Sequence, residues 1–151
     1  MIHLVYCDDK AKALEKITAG EKTMVIRGAA GRKIPHSRVF EGETLYFMKK
    51  GSAKISATAT VKSVQNYVKL TDEEINKIIE ENQNKLSLTD KQKEFWHRKC
   101  LCLVEFDNVK EITPLDFEKQ SNMDDWLILD KIEDVVVGSS VKFNYDNAKL
   151  K

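Results

Sequence analysis

Hydrophobic and polar residues alternate in the middle of the chain, between Lys54 and Lys62. A period of two places the apolar side chains on one face of a β-strand and the polar ones on the other. The apolar members of this alternation are Ile55, Ala57, Ala59 and Val61. Small residues suit a strongly curved strand in a small barrel. The pattern therefore predicts one long strand with a buried face.

Shorter apolar runs predict further strands on both sides of this segment. They cover residues 2–6, 23–27, 43–50 and 100–112. We expect Pro114 to end the last of these strands, because proline has no N–H to donate to a sheet. Beyond it, apolar runs that begin at Trp126, Val135 and Val141 alternate with acidic turns. We expect Trp126 to anchor this last part of the chain.

Three helices are predicted between the strands. The first covers residues 10–18, with Asp8 or Asp9 as its N-cap and with apolar residues spaced by three on one face. Capping boxes begin at Thr71 and Thr89, each with Glu or Gln three residues later. The resulting order of elements indicates an α+β fold. We expect a small mixed β-barrel with helices covering its openings.

The length of 151 residues is that of one domain. We place the barrel in residues 1–113 and interpret residues 114–151 as a C-terminal extension packed on the same domain. No apolar run approaches the roughly 18 residues that a membrane-spanning helix needs, so we expect no membrane partner.

Charge is segregated along the chain although the formal net charge is only +1. Residues 20–50 carry seven Lys/Arg and three Asp/Glu, a balance of +4, and residues 85–99 carry five and two, a balance of +3. Residues 71–82 carry one and five, giving −4, and residues 104–134 carry three and ten, giving −7. The sequence therefore excludes a uniformly basic surface and favours a local basic patch.

The three cysteines form no paired framework, which favours a reducing cytoplasm. His97, Cys100 and Cys102, with Cys7 or His3 as a fourth ligand, could form a zinc site. A C-x-C pair within an apolar strand lacks the turn that a zinc knuckle needs, so we expect no metal. We also expect no cofactor.

The basic segment is the strongest candidate for a binding site. Arginine forks fit phosphates, and glycines let backbone N–H groups approach a ligand. Aromatic residues near these charges could stack on a base, namely His36, Tyr46 and Trp96. The structural alternative for the basic residues is a solvated loop with Arg27 paired to an acid. For the aromatic residues we favour a structural role and expect Phe47, Phe95 and Trp96 to lie in the core.

The residues Gly20, Lys22 and Arg27 match the spacing of G-x-K-x-x-E-x-R, the signature of the ASCH group of PUA-like domains. Val25 stands at the position of the glutamate. Over about residues 10–107 the chain resembles this group. The resemblance implies a pseudobarrel with a helix-roofed cleft suited to RNA or a nucleobase.

A branch of the same family hydrolyses N4-acetylcytidine with a lysine, a threonine three residues later and a glutamate from the helix after the long strand. The resemblance assigns Lys22 to the lysine and Glu80 or Glu81 to the glutamate, and it puts Val25 at the threonine. Because valine cannot relay a proton, the residues favour a binding protein over this amidohydrolase.

Three hypotheses follow. The first is a module that binds RNA or a modified nucleoside in a basic cleft, through Lys22, Arg27, Arg32, Lys33, Arg38, Tyr46 and Trp96. The second is an enzyme, either an amidohydrolase acting on N-acylated cytidine or a weak ribonuclease, with Lys22, Glu80 and Glu81 as catalytic residues. The third is a protein-interaction adaptor, in which the acidic segment 104–134 contacts a basic partner or folds over the basic cleft.

Overall fold

The computed structural model describes residues 1–121 and 124–141 as one curled six-stranded sheet with a few short helices. The strands are β1 (Ile2–Cys7), β2 (Met24–Ala29), β3 (Thr44–Lys49), β4 (Lys54–Tyr67), β5 (Cys100–Asp116) and β6 (Trp126–Leu129). The helices are α1 (Ala13–Thr18), α2 (Asp72–Leu86), α3 (Asp90–Phe95) and a 3₁₀ turn at Ile132–Val135. In these ranges no helix has the length and apolar character that crossing a membrane requires.

The order of strands in the sheet is β2-β5-β4-β3-β1-β6. The pair β1–β3 is parallel and the other pairs are antiparallel, so the sheet is mixed. β2 and β6 are therefore its two edges, and the curled sheet forms a half-barrel. The predicted α+β class and small PUA-like barrel are confirmed in this form.

The alternation in β4 has the predicted effect, and all four of its apolar residues are buried. Register shifts occur along the β4–β5 pair and between Phe47 and Met48 of β3. Such irregularities bend a sheet and increase its twist. One of them follows Ile55, which packs in a different cluster from Ala57, so the predicted single face is divided at that point.

Both capping boxes form as predicted, at the starts of α2 and α3. The prediction for α1 was wrong at its N-terminus, because the helix begins at Ala13 and has no side-chain cap. Lys12 adopts a left-handed φ of 54° there. Asp8 instead accepts a hydrogen bond from the backbone N–H of Lys10, which stabilises a turn before the helix.

The prediction that Pro114 ends β5 was also wrong. The strand continues to Asp116, and Leu115 pairs with Ile55 of β4. β2 pairs only with residues 100–105 of β5, so the second half of β5 has a sheet partner on one side alone. Proline is tolerated where its missing N–H faces away from the ladder.

Three groups of buried side chains hold the fold together. A central cluster includes Phe47, Phe106 and Trp126 and joins α1 to the strands. A second cluster packs Ile75 and other residues of α2 against β2 and β5. An outer cluster combines β1, β3 and β4 with the segment after β5, including Phe117.

The described part of the C-terminal extension belongs to the same sheet. β6 pairs antiparallel with β1, and the predicted boundary after residue 113 falls inside β5. The division into barrel and extension stays a prediction. The described residues end at Val141. Most of the predicted apolar run that begins there, and the rest of the extension to residue 151, therefore lie outside them.

Gly28 lies in β2, where the backbone of β5 passes close to it. A Cβ at this position would lie 2.7 Å from Leu101 Cδ2 and 2.9 Å from the Cys100 carbonyl oxygen. We expect Gly28→Ala to lower the free energy of unfolding by about 2 kcal/mol, because the strand pair must separate to admit the methyl group. Urea unfolding followed by circular dichroism measures this. Gly31→Ala is the matched control, since its Cβ would meet nothing within 4 Å; equal losses for the two variants would contradict the prediction.

Candidate ligand-binding cleft

A cavity of about 520 Å³ lies between β1, β2, α1 and α3. The buried residues that line it, which we call the floor, are Val5, Cys7, Ala11, Ala13, Ile17, Lys22, Val25, Ile26 and Leu88. The exposed ones, which we call the rim, are Asp8, Lys10, Lys50, Thr89, Lys91 and Phe95. Arg27 and Trp96 are half-buried and lie between the two sets. The cavity thus has an apolar floor that contains one lysine, and a rim that carries three lysines and one aspartate.

The end of α2 positions Lys22. Gly20 ends the preceding helix region with a φ of +80°, and the chain then turns past the C-terminus of α2. Lys22 Nζ donates a hydrogen bond to the Leu86 carbonyl at 2.5 Å, and the neighbouring Lys16 Nζ donates to the Ser87 carbonyl at 2.9 Å. The last carbonyls of a helix lack partners within the helix and carry partial negative charge. They therefore hold Lys22 at the cleft and Lys16 beside it.

Lys22 is only 4% exposed, and this burial lowers the pKa of its ammonium group to about 7. The nearby charge of Arg27 is a second cause of this lowered pKa, since two like charges disfavour each other. Near neutral pH the Lys22 side chain therefore exchanges between ammonium and amine.

The lowered pKa of Lys22 should make the free energy of unfolding depend on pH. Below pH 7 the folded protein holds a charged buried lysine; in the unfolded chain the ammonium persists to a pKa near 10.5. Unfolding then takes up a proton between these values, so the contribution of Lys22 to stability rises with pH across this window. We expect the wild type to gain about 1–2 kcal/mol over Lys22→Met between about pH 7 and pH 9. Urea titrations of both proteins measure it, and parallel pH profiles would contradict it.

Arg27 extends from β2 across the opening of the half-barrel. Its Nη2 donates to the Tyr6 carbonyl of β1 at 2.7 Å, and its Nη1 donates to the Ile26 carbonyl at 2.8 Å. Its guanidinium carbon lies 5.5 Å from the ring centre of Trp96 and 5.7 Å from that of Trp126, within cation–π range. Burial lowers the pKa of this guanidinium.

These contacts of Arg27 with Tyr6 and Trp126 join the two open edges of the sheet, and we call them the Arg27 seam. β2 and β6 share no strand pairing in the described residues, so a side chain spans the gap between them. The Nε of Arg27 is buried and has no hydrogen-bond partner among residues 1–121 and 124–141. The predicted alternative, in which an acid pairs with Arg27, is not what the structure shows.

Neither Lys22 nor Arg27 forms an ion pair with any carboxylate of residues 1–121 and 124–141. Two acids line the cavity: Asp125 pairs with Lys50 at 2.9 Å, and Asp8 is exposed on the rim. Both attract Arg27 electrostatically without forming an ion pair with it. The cleft therefore contains two basic groups, one buried and one half-buried, neither of which is ion-paired with a carboxylate of the described residues.

A buried polar chain orients Trp126. Its indole Nε1 donates to Nδ1 of His3 at 2.9 Å, and Nε2 of His3 lies 2.9 Å from Oε1 of Glu43. Because the indole only donates, His3 Nδ1 accepts and Nε2 carries the proton that bonds to Glu43. Burial lowers the pKa of His3, in keeping with a neutral ring.

This role of His3 and Glu43 was not predicted from the sequence. We considered His3 only as a metal ligand, and its partner Trp126 is 123 residues away in the chain. Pairing of β1 with β6 brings them together, and no local pattern in the sequence indicates that pairing.

Of the residues predicted to bind a ligand, the structure brings Lys22, Arg27 and Trp96 together at the cavity. Trp96 is half-buried and Phe95 is 57% exposed, so the prediction that Phe95 lies in the core was wrong. Phe47 is fully buried, as predicted.

Other predicted ligand-binding residues lie elsewhere. Arg32 and Lys33 are exposed in the loop after β2, and Arg38 Nη1 donates to the Arg32 carbonyl at 3.0 Å. Tyr46 packs against the outer cluster. His36 is buried, with its Nε2 3.0 Å from the Tyr67 carbonyl oxygen, and does not present its ring as a stacking surface.

The predicted catalytic acids are also away from the cavity. Glu80 and Glu81 lie on the exposed face of α2, where they pair with Lys93 at 3.1 Å and Lys77 at 3.8 Å. The face of α2 that packs on the sheet carries Ile75, Ile78 and Ile79 instead. The structure does not bring either glutamate to Lys22.

The residues considered for zinc have other partners. His97 pairs with Asp72 at 3.1 Å, and Cys100 Sγ donates to the Ala30 carbonyl. Burial raises the pKa of Cys7 to about 11 and that of Cys102 to about 12. The part of the chain that the structure describes contains no group of three or more His, Cys, Asp or Glu side chains arranged to hold a metal.

Comparison with solved structures identifies the fold. The chain superposes on the crystal structure of ASCH from Zymomonas mobilis with a TM-score of 0.59 and 12% identity, covering 76% of this chain and 73% of that one. Two mutants of that protein match with the same TM-score and 13% identity. The fold is that of an ASCH domain.

At this identity the likeness concerns the ASCH fold alone. No protein-family model and no curated protein matches the sequence. The function must therefore be argued from the residues of the cleft.

Proposed function

We propose that this ASCH-fold protein binds a nucleotide or single-stranded RNA in the cleft formed by Lys22, Arg27 and Trp96. The observation that carries this proposal is the presence of two basic groups in one cavity without a carboxylate partner among the described residues. Two like charges that are partly shielded from water destabilise a site unless an opposite charge binds beside them. A bound anion would supply that charge.

The hydrogen-bonding capacity of the cleft supports an oxyanion. Arg27 Nε is buried without a partner in the described part of the chain, and the Lys22 ammonium has further N–H groups besides the one that Leu86 accepts. Phosphate oxygens accept such charge-assisted hydrogen bonds, which are short and strong. The donor set therefore fits a phosphate.

The aromatic residues at the cavity support a base beside that phosphate. Phe95 is exposed on the rim and packs edge-to-face on Trp96, with ring centroids 4.7 Å apart. Aromatic side chains of this kind provide stacking surfaces for unpaired bases. The rim lysines Lys10 and Lys91 would attract further phosphates of a strand.

Three acids of the acidic segment 104–134 pair with lysines other than Lys22. Glu105 contacts Lys62 and Lys85, Asp116 contacts Lys54, and Asp125 contacts Lys50 at the rim. These three acids form ion pairs with surface lysines of the same chain rather than with Lys22 or Arg27.

The two tryptophans of the chain both lie against Arg27, so intrinsic fluorescence reports on the cleft directly. We expect nucleoside monophosphates and single-stranded RNA to change this fluorescence in a saturable way, with an affinity that falls as salt increases. Calorimetry provides an independent measure. If neither method detects any of these ligands at low salt, the proposed function is wrong.

A hydrolase is the second candidate, and one observation favours it. The Lys22 pKa of about 7 would let its amine act as a general base at neutral pH. Val25 on the floor and the outward position of Glu80 supply no group to relay the proton. Incubation with N4-acetylcytidine tests this: turnover by wild type and by Lys77→Ala but not by Lys22→Ala would support the hydrolase, and no turnover by any of them would exclude it for this substrate.

A further inference from the structure

We propose that the anionic group held by Lys22 and Arg27 is the terminal phosphate of a nucleotide, either free or at the end of an RNA strand. This inference rests on the proposed function and specifies which part of the ligand enters the cavity. It follows from the depth of the two basic groups, the size of the cavity and the hydrogen-bonding capacity of the floor.

The basic groups lie behind the rim. Lys22 is 4% exposed, and the Nε of Arg27 is buried. An internal phosphodiester continues into a sugar on both sides, so two lengths of chain would have to leave through the same opening. A terminal phosphate has a single connection and reaches the floor as the tip of the ligand.

The size of the cavity points the same way. About 520 Å³ is within the range of pockets that enclose one small molecule. It suits one nucleotide with its phosphate on the floor and its base near Trp96 and Phe95. A longer strand would continue over the rim, where Lys10, Lys50 and Lys91 are exposed.

Charge and hydrogen bonds also distinguish the two kinds of phosphate. A terminal phosphate carries a charge of about −1.5 to −2 near neutral pH and has three strong acceptor oxygens. An internal phosphodiester carries one negative charge. Lys22 as ammonium and Arg27 together provide two positive charges, which the terminal group matches.

The rest of the floor offers little to a base. Val5, Ile17 and Val25 have apolar side chains. The polar edge of a base placed there could accept hydrogen bonds from Lys22 and Arg27, but these apolar side chains would accept none from its own N–H groups. Buried donors without acceptors destabilise a complex. A phosphate has only acceptors to satisfy and avoids this cost.

Four probes test the inference with the full-length protein at about pH 6.5, below the Lys22 pKa of about 7. They are cytidine, cytidine 5′-monophosphate, and one short single-stranded RNA with either a 5′-hydroxyl or a 5′-phosphate. Tryptophan fluorescence and calorimetry give the affinities. We expect the monophosphate to bind at least about tenfold more tightly than cytidine, and the 5′-phosphorylated RNA at least about tenfold more tightly than its hydroxyl form.

The remaining results of this binding experiment would overturn either the terminal-phosphate inference alone or the proposed function as well. Equal affinity for cytidine and its monophosphate would place the base on the floor, and equal affinity for the two RNAs would place internal phosphates on the rim. Either result overturns the terminal-phosphate inference and leaves the proposed function standing. Absence of binding by all four probes overturns both.

Two variants show whether the preference for a terminal phosphate depends on the floor of the cavity. Lys22→Met should remove the preference for the terminal phosphate, because it removes one of the two charges that the phosphate matches. Lys77→Met, on the exposed face of α2, removes the same charge at a distance and should retain the preference. Circular dichroism checks that both variants fold. Loss of the preference in both, or in neither, would contradict the inference.

Discussion

Arg27→Met should weaken binding of a nucleoside monophosphate by about 100-fold, since two charge-assisted hydrogen bonds to the phosphate would be lost. The guanidinium occupies the centre of the cleft, between Trp96 and Trp126, and its Nε has no partner within the described protein. Methionine keeps much of the side-chain length and the apolar contact with the rings. The affinities can be measured by calorimetry at low salt.

Two further variants separate charge from geometry in this experiment. Arg27→Lys retains a positive charge but loses the planar fork, so we expect about tenfold weaker binding. Lys77→Met should change the affinity by less than about twofold, because its ammonium group is exposed and remote from the cavity. If Arg27→Met bound as tightly as the wild type, Arg27 would be a purely structural residue.

Trp126→Ala should lower the free energy of unfolding by about 3–5 kcal/mol, as expected for a large aromatic side chain removed from a core. Trp126 is 1% exposed, belongs to the central cluster and contacts both Arg27 and His3. Guanidinium unfolding followed by circular dichroism measures the change. A loss below about 1 kcal/mol would mean that β6 contributes little to the stability of the sheet.

Trp126→Phe is the informative control. It keeps an aromatic ring in the cluster but removes the indole N–H, which leaves Nδ1 of His3 without its donor. We expect a loss of about 1–2 kcal/mol from this unsatisfied acceptor and the smaller ring together. A loss as large as that of Trp126→Ala would show that the hydrogen bond, rather than apolar contact, is the main contribution.

Local features of the fold could be predicted from the sequence. The alternation around Ala57 and Ala59 and the capping boxes at Thr71 and Thr89 depend on neighbours a few residues away, and each produced the expected element. The continuation of β5 past Pro114 could not be predicted in this way. It depends on β2 being too short to cover the far half of β5, which only the assembled sheet determines.

In the cleft, too, features set by neighbouring residues could be predicted and features set by the assembled sheet could not. Lys22 and Arg27 were identified from a short motif in one segment, and the structure brings their side chains to one cavity. Arg38 and Tyr46 were added because they are close in sequence, but the intervening loop and the opposite face of β3 separate them from that cavity. His3 was assigned no role in the cleft because its role depends on contacts across the whole chain.

The Arg27 seam has a consequence for what a substitution in this fold disrupts. Since a side chain, and not a hydrogen-bonded ladder, connects β2 to β6 in the described structure, a substitution at position 27 would change the contact between these edges without removing a strand pair. The strand pairs and the connection between the edges therefore depend on different residues. The same fold occurs at 12–13% sequence identity, so its backbone does not depend on one particular set of side chains.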